Sequence, residues 1–202
     1  MKLLQSPASP FVRKVRVTLH ETGQWDDVEQ IDVTTSPQAS DAALTAANPL
    51  GKIPALIRPD GPALYDSRVI CRFLDARANG GFYPDSHIWD TLALEATADG
   101  IMEAALAMVY ETRYRDAEQV SQDWIEAQWA KVARALDAVN SRWMSHLQGR
   151  LDMGHIAIGA ALGYLDLRHE ARNWRGGRDG LAQWYTEFAQ RPSMQATQPP
   201  AA

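Results

Sequence analysis

The chain has a single cysteine among its 202 residues, so it cannot build an intrachain disulfide framework. A lone free thiol is typical of a protein kept in a reducing compartment, and we expect a cytoplasmic location. No apolar run reaches the roughly 18 residues that suggest a membrane-spanning helix. The N-terminus is also too poor in apolar residues for a signal peptide. We therefore expect no membrane partner.

Strong net charge and the common nucleotide and nucleophile motifs are missing as well. A net charge of −5 argues against a nucleic-acid partner. The chain contains no Gly-x-Gly-x-x-Gly, no phosphate-binding P-loop and no Gly-x-Ser-x-Gly elbow. The five histidines show no metal-ligand spacing, so no metal is expected. The basic run 13–16 is short, and we interpret it as solvated surface.

Hydrophobic periodicity divides the chain into an α+β part and an all-α part. Residues 1–78 alternate between strand and helix patterns in the order βαβ-ββα. The predicted strands are 2–5, 27–33, 55–58 and 63–65, the predicted helices are 10–22 and 67–78, and 36–47 is irregular or briefly helical. Residues 79–87 begin with Asn-Gly-Gly and are predicted to be a linker.

Residues 88–202 are predicted to form a second, purely helical domain. Apolar residues between Ile125 and Leu147 recur at spacings of three, four and seven, which indicates one buried helix face. The segment from Ile156 to Leu167 is apolar or small on almost every side. Such a helix is expected at the centre of a bundle.

Three local motifs stand out in the first domain. Ser9 precedes Pro10 at the start of a helix pattern, as an N-cap before a first-turn proline. The run Asn48-Pro49-Leu50-Gly51-Lys52-Ile53-Pro54 leads into a strand, and a cis bond before Pro54 would expose the backbone edge of the preceding residue. Asp66-Ser67 opens the next helix, whose first-turn amides favour a carboxylate.

Together, the order and spacing of these motifs resemble the glutathione S-transferase superfamily. The motifs that carry the resemblance are Ser-Pro-Phe, Asn-Pro-Leu-Gly-Lys-Ile-Pro, Asp-Ser after a hairpin, and the closing Gln190-Arg191-Pro192-Ser193. The resemblance covers essentially the whole chain. It implies a thioredoxin-like N-terminal domain, an all-helical C-terminal domain and glutathione as co-substrate. A homodimer in which the third and fourth helices face the partner is also implied.

The resemblance gives Ser9 the role of meeting the glutathione sulfur, with Ser6 as the alternative. Lowering a thiol pKa by about two units from ~8.5 needs roughly 2.7 kcal/mol in favour of the thiolate. One hydroxyl bond to a charged group contributes about 1.5–3 kcal/mol. The helix N-terminal amides add about 0.3–1 kcal/mol. A serine at a helix start is therefore sufficient, and Arg13 is a further candidate for tuning the thiolate.

The remaining site residues are also implied by the resemblance. Ile53, aided by Pro54, pairs with the cysteinyl backbone. Ser67 takes the γ-glutamyl carboxylate, Asp66 the ammonium group, and Lys52 the glycyl carboxylate unless it is simply solvated. For the electrophile we expect an acceptor pocket, whose candidate residues are Met102, Leu106, Tyr110, Arg113 and Trp174.

The expected activity is attack of the glutathione thiolate on a small electrophile. One alternative is another glutathione-dependent enzyme, such as an isomerase, dehalogenase or lyase. A second is a non-catalytic interaction protein on the same fold, although such relatives often lose the catalytic serine or the Asp-Ser pair. The chain has no cysteine near Ser9, which disfavours thiol transfer, and Cys71 is expected to be buried and inert.

The start of the central helix departs from the family pattern. Related proteins place Ser or Thr at the N-cap and Asp three residues later, whereas this chain has Asp152 and His155. Asp152 remains a competent N-cap. The reciprocal contact of the capping box is therefore expected to be lost or replaced by an imidazole contact.

Overall fold

The computed structural model describes residues 1–200, which form two compact units. The first unit comprises Met1–Pro84 and Pro192–Pro200, and the second comprises Asp85–Arg191. The strands are β1 (Lys2–Gln5), β2 (Glu29–Asp32) and β3 (Ala55–Ile57). The helices are α1 (Pro10–Glu21), α2 (Ala42–Ala47), α3 (Ser67–Ala78), α4 (Ile88–Tyr114), α5 (Gln122–Arg142), α6 (Met144–Leu147), α7 (Met153–His169), α8 (Asp179–Phe188) and α9 (Pro192–Ala196).

The first unit is built on a three-stranded sheet of order β2-β1-β3. Strand β1 is parallel to β2, with Lys2 opposite Glu29, and antiparallel to β3, with Leu3 opposite Leu56. As the central strand, β1 buries both Leu3 and Leu4. The strand and helix order confirms the predicted thioredoxin-like arrangement around α1 and α3.

The predicted fourth strand at 63–65 is wrong, because only one residue of that segment pairs. The amides and carbonyls of Leu56 and Leu64 exchange two hydrogen bonds of 2.9 Å. In this register the next hydrogen-bonded positions on either side fall at Pro54 and Pro62. Neither proline has an N–H to donate, so the ladder stops after a single bridge.

The C-terminal helix α9 belongs to the first unit, although the sequence analysis assigned its residues to the second domain. It packs against α1, where the Arg13 guanidinium donates to the Met194 carbonyl at 3.1 Å. The Ser193 hydroxyl also donates to the Glu21 carboxylate. These contacts join residues far apart in sequence, which local patterns do not reveal. Residues 201 and 202, also assigned to the second domain, lie outside the described residues.

The second unit is helical, and α7 forms its core. Residues Met153–Leu165 of α7 are all buried, as the apolar and small composition of this segment predicts. Helix α4 packs against α7, and α5 packs against α4. The N-cap of α5 is Ser121, whose hydroxyl accepts from the Trp124 amide at 3.2 Å. Among residues 1–200, no helix combines the length and apolar character needed to cross a membrane.

Candidate functional site

Ser9 lies at the start of α1 as its N-cap, as predicted. Its hydroxyl oxygen accepts a hydrogen bond from the Val12 amide at 3.3 Å, and Pro10 is the first helical residue. Accepting this bond uses a lone pair of the oxygen and leaves the hydroxyl hydrogen free to be donated. The alternative residue, Ser6, is likewise half-buried, and its carbonyl accepts from the Ser9 amide at 3.0 Å.

The turn before β3 is held by Asn48. Its amide nitrogen donates to the Lys52 carbonyl at 2.7 Å, and its amide oxygen accepts from the Leu50 backbone at 3.1 Å. Gly51 has φ +62°, and a Cβ at that position would lie 2.7 Å from the Ser40 hydroxyl oxygen. Two features therefore favour glycine at this position, its positive φ and the lack of space for a Cβ atom.

This turn delivers Ile53 with an open backbone edge. The peptide bond between Ile53 and Pro54 is cis, as predicted. Within residues 1–200, neither the amide nor the carbonyl of Ile53 makes a hydrogen bond. Both groups are therefore available to an extended peptide ligand. Lys52, one residue earlier, is exposed and forms no ion pair in the described part of the chain.

Asp66 and Ser67 begin α3 as the sequence predicts. One Asp66 carboxylate oxygen accepts from the Arg68 amide at 3.1 Å, and the other pairs with the Arg68 guanidinium at 3.0 Å. Burial alone would raise the pKa of Asp66, but the hydrogen bonds and charge of Arg68, together with the charge of Lys14, lower it overall. Asp66 is therefore a carboxylate at neutral pH.

Ser67 is 2% exposed, yet its hydroxyl makes no hydrogen bond within residues 1–200. The Ser67 hydroxyl oxygen is not fully enclosed, so it still reaches solvent. It lies in the first turn of a 12-residue helix, beside amides that have no partner inside the helix. An unpartnered hydroxyl and free first-turn amides together favour an anion.

The basic run 13–16 differs from its interpretation as solvated surface. Arg13 and Lys14 are buried, and Lys14 has no exposed surface. Arg13 is committed to the Met194 carbonyl. Lys14 lies four residues after Pro10 on the same helix face, but its charge favours solvent, so the sequence alone did not predict its burial.

Cys71 in α3 is fully buried. It accepts a hydrogen bond from the Thr18 hydroxyl at 3.4 Å. Burial among packed side chains agrees with the expectation of an inert thiol.

The five acceptor-pocket candidates separate into two groups. Met102 has no exposed surface and Trp174 is 1% exposed, so both fill the core of the second unit. The Trp174 indole N–H is also committed to the Asp166 carboxylate at 2.7 Å. Neither therefore offers surface to a ligand. Leu106 and Tyr110 are half-buried on α4, and Arg113 is exposed.

Two phenols and two guanidinium groups are neighbours on α4 and α7. Burial raises the pKa of Tyr110, with a further contribution from Tyr114 and opposition from Arg113. Burial also raises the pKa of Tyr164 to about 12, and the charges of Arg168 and Arg113 partly oppose it. Both phenols are therefore neutral hydrogen-bond donors at physiological pH. Within residues 1–200, neither Arg113 nor Arg168 pairs with a carboxylate.

The sequence analysis did not predict a histidine cluster around Asp152 at the start of α7. His146 Nε2 and His155 Nδ1 each lie 2.7 Å from a carboxylate oxygen of Asp152, and His87 Nε2 lies at 3.8 Å. The Thr91 hydroxyl donates to the same carboxylate at 2.7 Å. His87 and Thr91 lie at the start of α4 and His146 lies in α6, so only the fold brings them to Asp152 and His155 at the start of α7.

The capping box at this helix start survives in altered form. The Asp152 carboxylate accepts from the His155 amide at 3.3 Å, and the Asp152 amide lies 3.2 Å from His155 Nδ1. An imidazole therefore replaces the usual carboxylate, which was one of the two predicted outcomes. Burial would raise the pKa of Asp152, but hydrogen bonds from His155 and Thr91 and the charges of His155 and His146 hold it well below its usual range.

Comparison with known proteins agrees with the motifs in the first unit. Residues 8–77 match the family model of the glutathione S-transferase N-terminal domain, and residues 122–187 match that of the C-terminal domain. The chain is 32% identical to the uncharacterized GST-like protein YibF of Escherichia coli K12, over 100% of both chains.

Solved structures are also similar. A glutathione transferase family member from Pseudomonas fluorescens Pf-5 with bound glutathione is 46% identical, covers 99% of both chains and superposes with a TM-score of 0.96. A glutathione S-transferase from Methylobacillus flagellatus KT with glutathione bound is 37% identical over 98% of this chain and 99% of that one, with a TM-score of 0.86. The chain belongs to the glutathione S-transferase family.

Proposed function

We propose that this protein is a glutathione transferase that binds glutathione on its first unit and stabilises the thiolate for attack on a small electrophile. The open backbone edge of Ile53 is the observation that carries the proposal, because an extended tripeptide can pair with an unused amide and carbonyl. The glutathione bound to two relatives, at 46% and 37% identity, supports this assignment.

Each part of glutathione has a proposed partner of suitable chemistry. The free hydroxyl of Ser67 and the first-turn amides of α3 bind the γ-glutamyl carboxylate. The Asp66 carboxylate attracts the ammonium group, and Lys52 attracts the glycyl carboxylate. Pro54 keeps the Ile53 backbone edge turned outward for the cysteinyl residue.

Ser9 is the proposed catalytic residue. The Val12 amide fixes the Ser9 oxygen. The hydroxyl can therefore donate its hydrogen to the sulfur with little further loss of side-chain rotamer freedom. A hydroxyl bond to the thiolate contributes about 1.5–3 kcal/mol, which corresponds to roughly one to two units of thiol pKa. The bound thiol then loses its proton to solvent near neutral pH, and the thiolate attacks without a separate general base.

The proposed acceptor carries a carboxylate and is bound by Leu106, Tyr110 and Arg113. The unpaired Arg113 supplies a positive charge and the neutral Tyr110 supplies a hydrogen-bond donor. A relative from Pseudomonas fluorescens Pf-5, 43% identical over 100% of both chains with a TM-score of 0.91, was solved with bound S-(propanoic acid)-glutathione. That thioether is what a thiol forms with acrylate or with a halogenated propanoate.

The proposal predicts that the protein accelerates conjugation of glutathione with acrylate more than with acrylamide, each relative to its uncatalysed rate. Arg113→Gln should reduce kcat/KM for acrylate about 5-fold, because an exposed charge pair contributes up to about 1 kcal/mol. The rate with acrylamide should stay within about twofold, since acrylamide has no charge for Arg113 to bind. Conjugate formation followed by mass spectrometry measures both rates.

Arg134→Gln is the matched control, because Arg134 is also an exposed and unpaired arginine of the second unit. It should leave both rates unchanged. Equal losses for acrylate and acrylamide in Arg113→Gln would contradict carboxylate recognition. No acceleration of either electrophile by the native chain would contradict transfer to this class of acceptor.

We also propose a homodimer that uses α3 and α4. Val69 on α3 and Trp89 on α4 are 46% and 78% exposed, which is unusual for large apolar side chains. Sedimentation equilibrium should give twice the chain mass at micromolar concentration. A monomer at that concentration would contradict this assembly.

A further inference from the structure

The cluster formed by His87, His146, Asp152 and His155 holds the side-chain types that bind transition metals. Ligand atoms of His146, Asp152 and His155 all lie within 4.8 Å of one another. His87 Nε2 is 3.8 Å from the Asp152 carboxylate on the same side as His146. Three imidazole nitrogens and one carboxylate oxygen thus lie near one another in the second unit, remote in sequence from the proposed glutathione residues. An ion on His155 Nδ1 would take the lone pair that now accepts from the Asp152 amide.

We propose that this cluster binds one late first-row divalent cation, with Zn²⁺ as the representative ion. Imidazole and carboxylate ligands suit zinc, nickel and copper. In a tetrahedral zinc site with bonds of about 2.0–2.1 Å, the ligand atoms lie roughly 3.3 Å apart. His146 and His87 approach the same carboxylate oxygen, so the His146 contact of 2.7 Å must open by about 0.6 Å and the His87 contact of 3.8 Å must close by about 0.5 Å. His155 Nδ1 contacts the other oxygen at 2.7 Å and must turn toward the ion.

The hydrogen bonds of Asp152 leave room for this ion. The Thr91 hydroxyl and the His155 amide each use one lone pair of the carboxylate, on different oxygens. The remaining lone pairs face the histidines, so a cation can bind between the carboxylate and the ring nitrogens.

The cluster is buried at its base and open at one side. The side chains of Asp152 and His155 are 2% and 4% exposed, whereas those of His146 and His87 are 15% and 41% exposed. An ion can therefore enter between His146 and His87 while the base keeps its packing. The second nitrogen of His155 is enclosed without a partner in the described residues, and a missing acceptor of this kind weakens metal affinity about 10-fold to 100-fold. We therefore expect micromolar affinity.

The ion would connect parts of the second unit that meet only through side chains. His87 precedes α4, His146 lies in the four-residue α6, and Asp152 caps α7. Coordination therefore holds three elements together at the N-terminal end of the central helix. Because the metal binds the folded protein preferentially, its binding should raise the midpoint of thermal unfolding.

The test is a calorimetric titration of the chelator-treated, full-length chain with Zn²⁺ in the absence of glutathione, which itself binds zinc. We expect one ion per chain. His146→Ala and His87→Ala should each weaken Zn²⁺ binding, His146→Ala by about 100-fold or more, because losing a ligand costs at least as much as losing its outer hydrogen-bond partner. His20→Gln, a histidine change in the first unit, should bind as the native chain does.

His87→Ala keeps the test informative if His146→Ala unfolds, because His87 is partly exposed and lies outside the capping box. Thermal unfolding of each variant without metal checks that it is folded. Native-like Zn²⁺ affinity in both folded variants would overturn the proposal, as would no binding by the native chain at submillimolar zinc. The cluster would then be a hydrogen-bonded capping network only.

Discussion

Replacing Asp152 by alanine is expected to lower the free energy of unfolding by about 3–5 kcal/mol at neutral pH in metal-free buffer. Asp152 is 1% exposed, and its carboxylate accepts from Thr91, His146 and the amide of His155. Alanine leaves these donors without an acceptor in a buried place and also removes the N-cap of α7. Since α7 is the core of the second unit, this loss affects the whole unit.

Urea unfolding followed by circular dichroism measures this change through the denaturation midpoint at an unchanged slope. Asp116→Ala is the matched control, because Asp116 also precedes a helical turn but is exposed and makes no capping bond with its side chain. That variant should stay within about 0.5 kcal/mol of the native chain. A loss below about 1 kcal/mol for Asp152→Ala would show that the carboxylate does not hold the helix start.

Replacing Ser9 by alanine is expected to reduce kcat/KM for conjugation about 10-fold to 100-fold, which corresponds to the loss of roughly 1.5–3 kcal/mol of thiolate stabilisation. The affinity for glutathione should change little, because the proposed binding of its backbone and carboxylates uses Ile53 and Ser67. The variant also loses the Val12 capping bond, so its folding must be checked at the same time.

Initial rates at saturating glutathione separate a loss of thiolate stabilisation from weaker binding of glutathione. Ser6→Ala is the matched control, since Ser6 lies three residues away and is half-buried in the same loop. A larger rate loss in Ser6→Ala than in Ser9→Ala would transfer the catalytic role to Ser6. Unchanged rates in both variants would remove the hydroxyl from the mechanism.

Features set by neighbouring residues could be predicted from the sequence. The N-caps at Ser9 and Asp66 follow from a capping side chain placed just before an apolar helical pattern. The cis bond before Pro54 was implied by the family resemblance, and the proline makes such a bond inexpensive. The burial of α7 follows from its composition alone.

Features set by distant contacts could not be predicted in this way. The cis bond between Tyr65 and Asp66 has no proline to suggest it. Lys14 was misinterpreted because a run of basic residues normally favours solvent, and only the folded unit encloses it. The cluster around Asp152 requires residues at the start of α4, in α6 and in α7 to meet. His87 and His146 are 59 positions apart in the sequence, so local patterns do not reveal this contact.

The most direct test of the central claim is an ultraviolet titration of the glutathione thiolate bound to the native chain. Our account predicts that bound glutathione ionises with a pKa of about 6.5–7.5, one to two units below the ordinary thiol value of ~8.5. In Ser9→Ala the bound thiol should ionise close to its ordinary value. If the thiol ionised in the native complex at the same pH as free glutathione, thiolate stabilisation would be contradicted. If millimolar glutathione did not bind at all, the non-catalytic alternative would replace the enzyme.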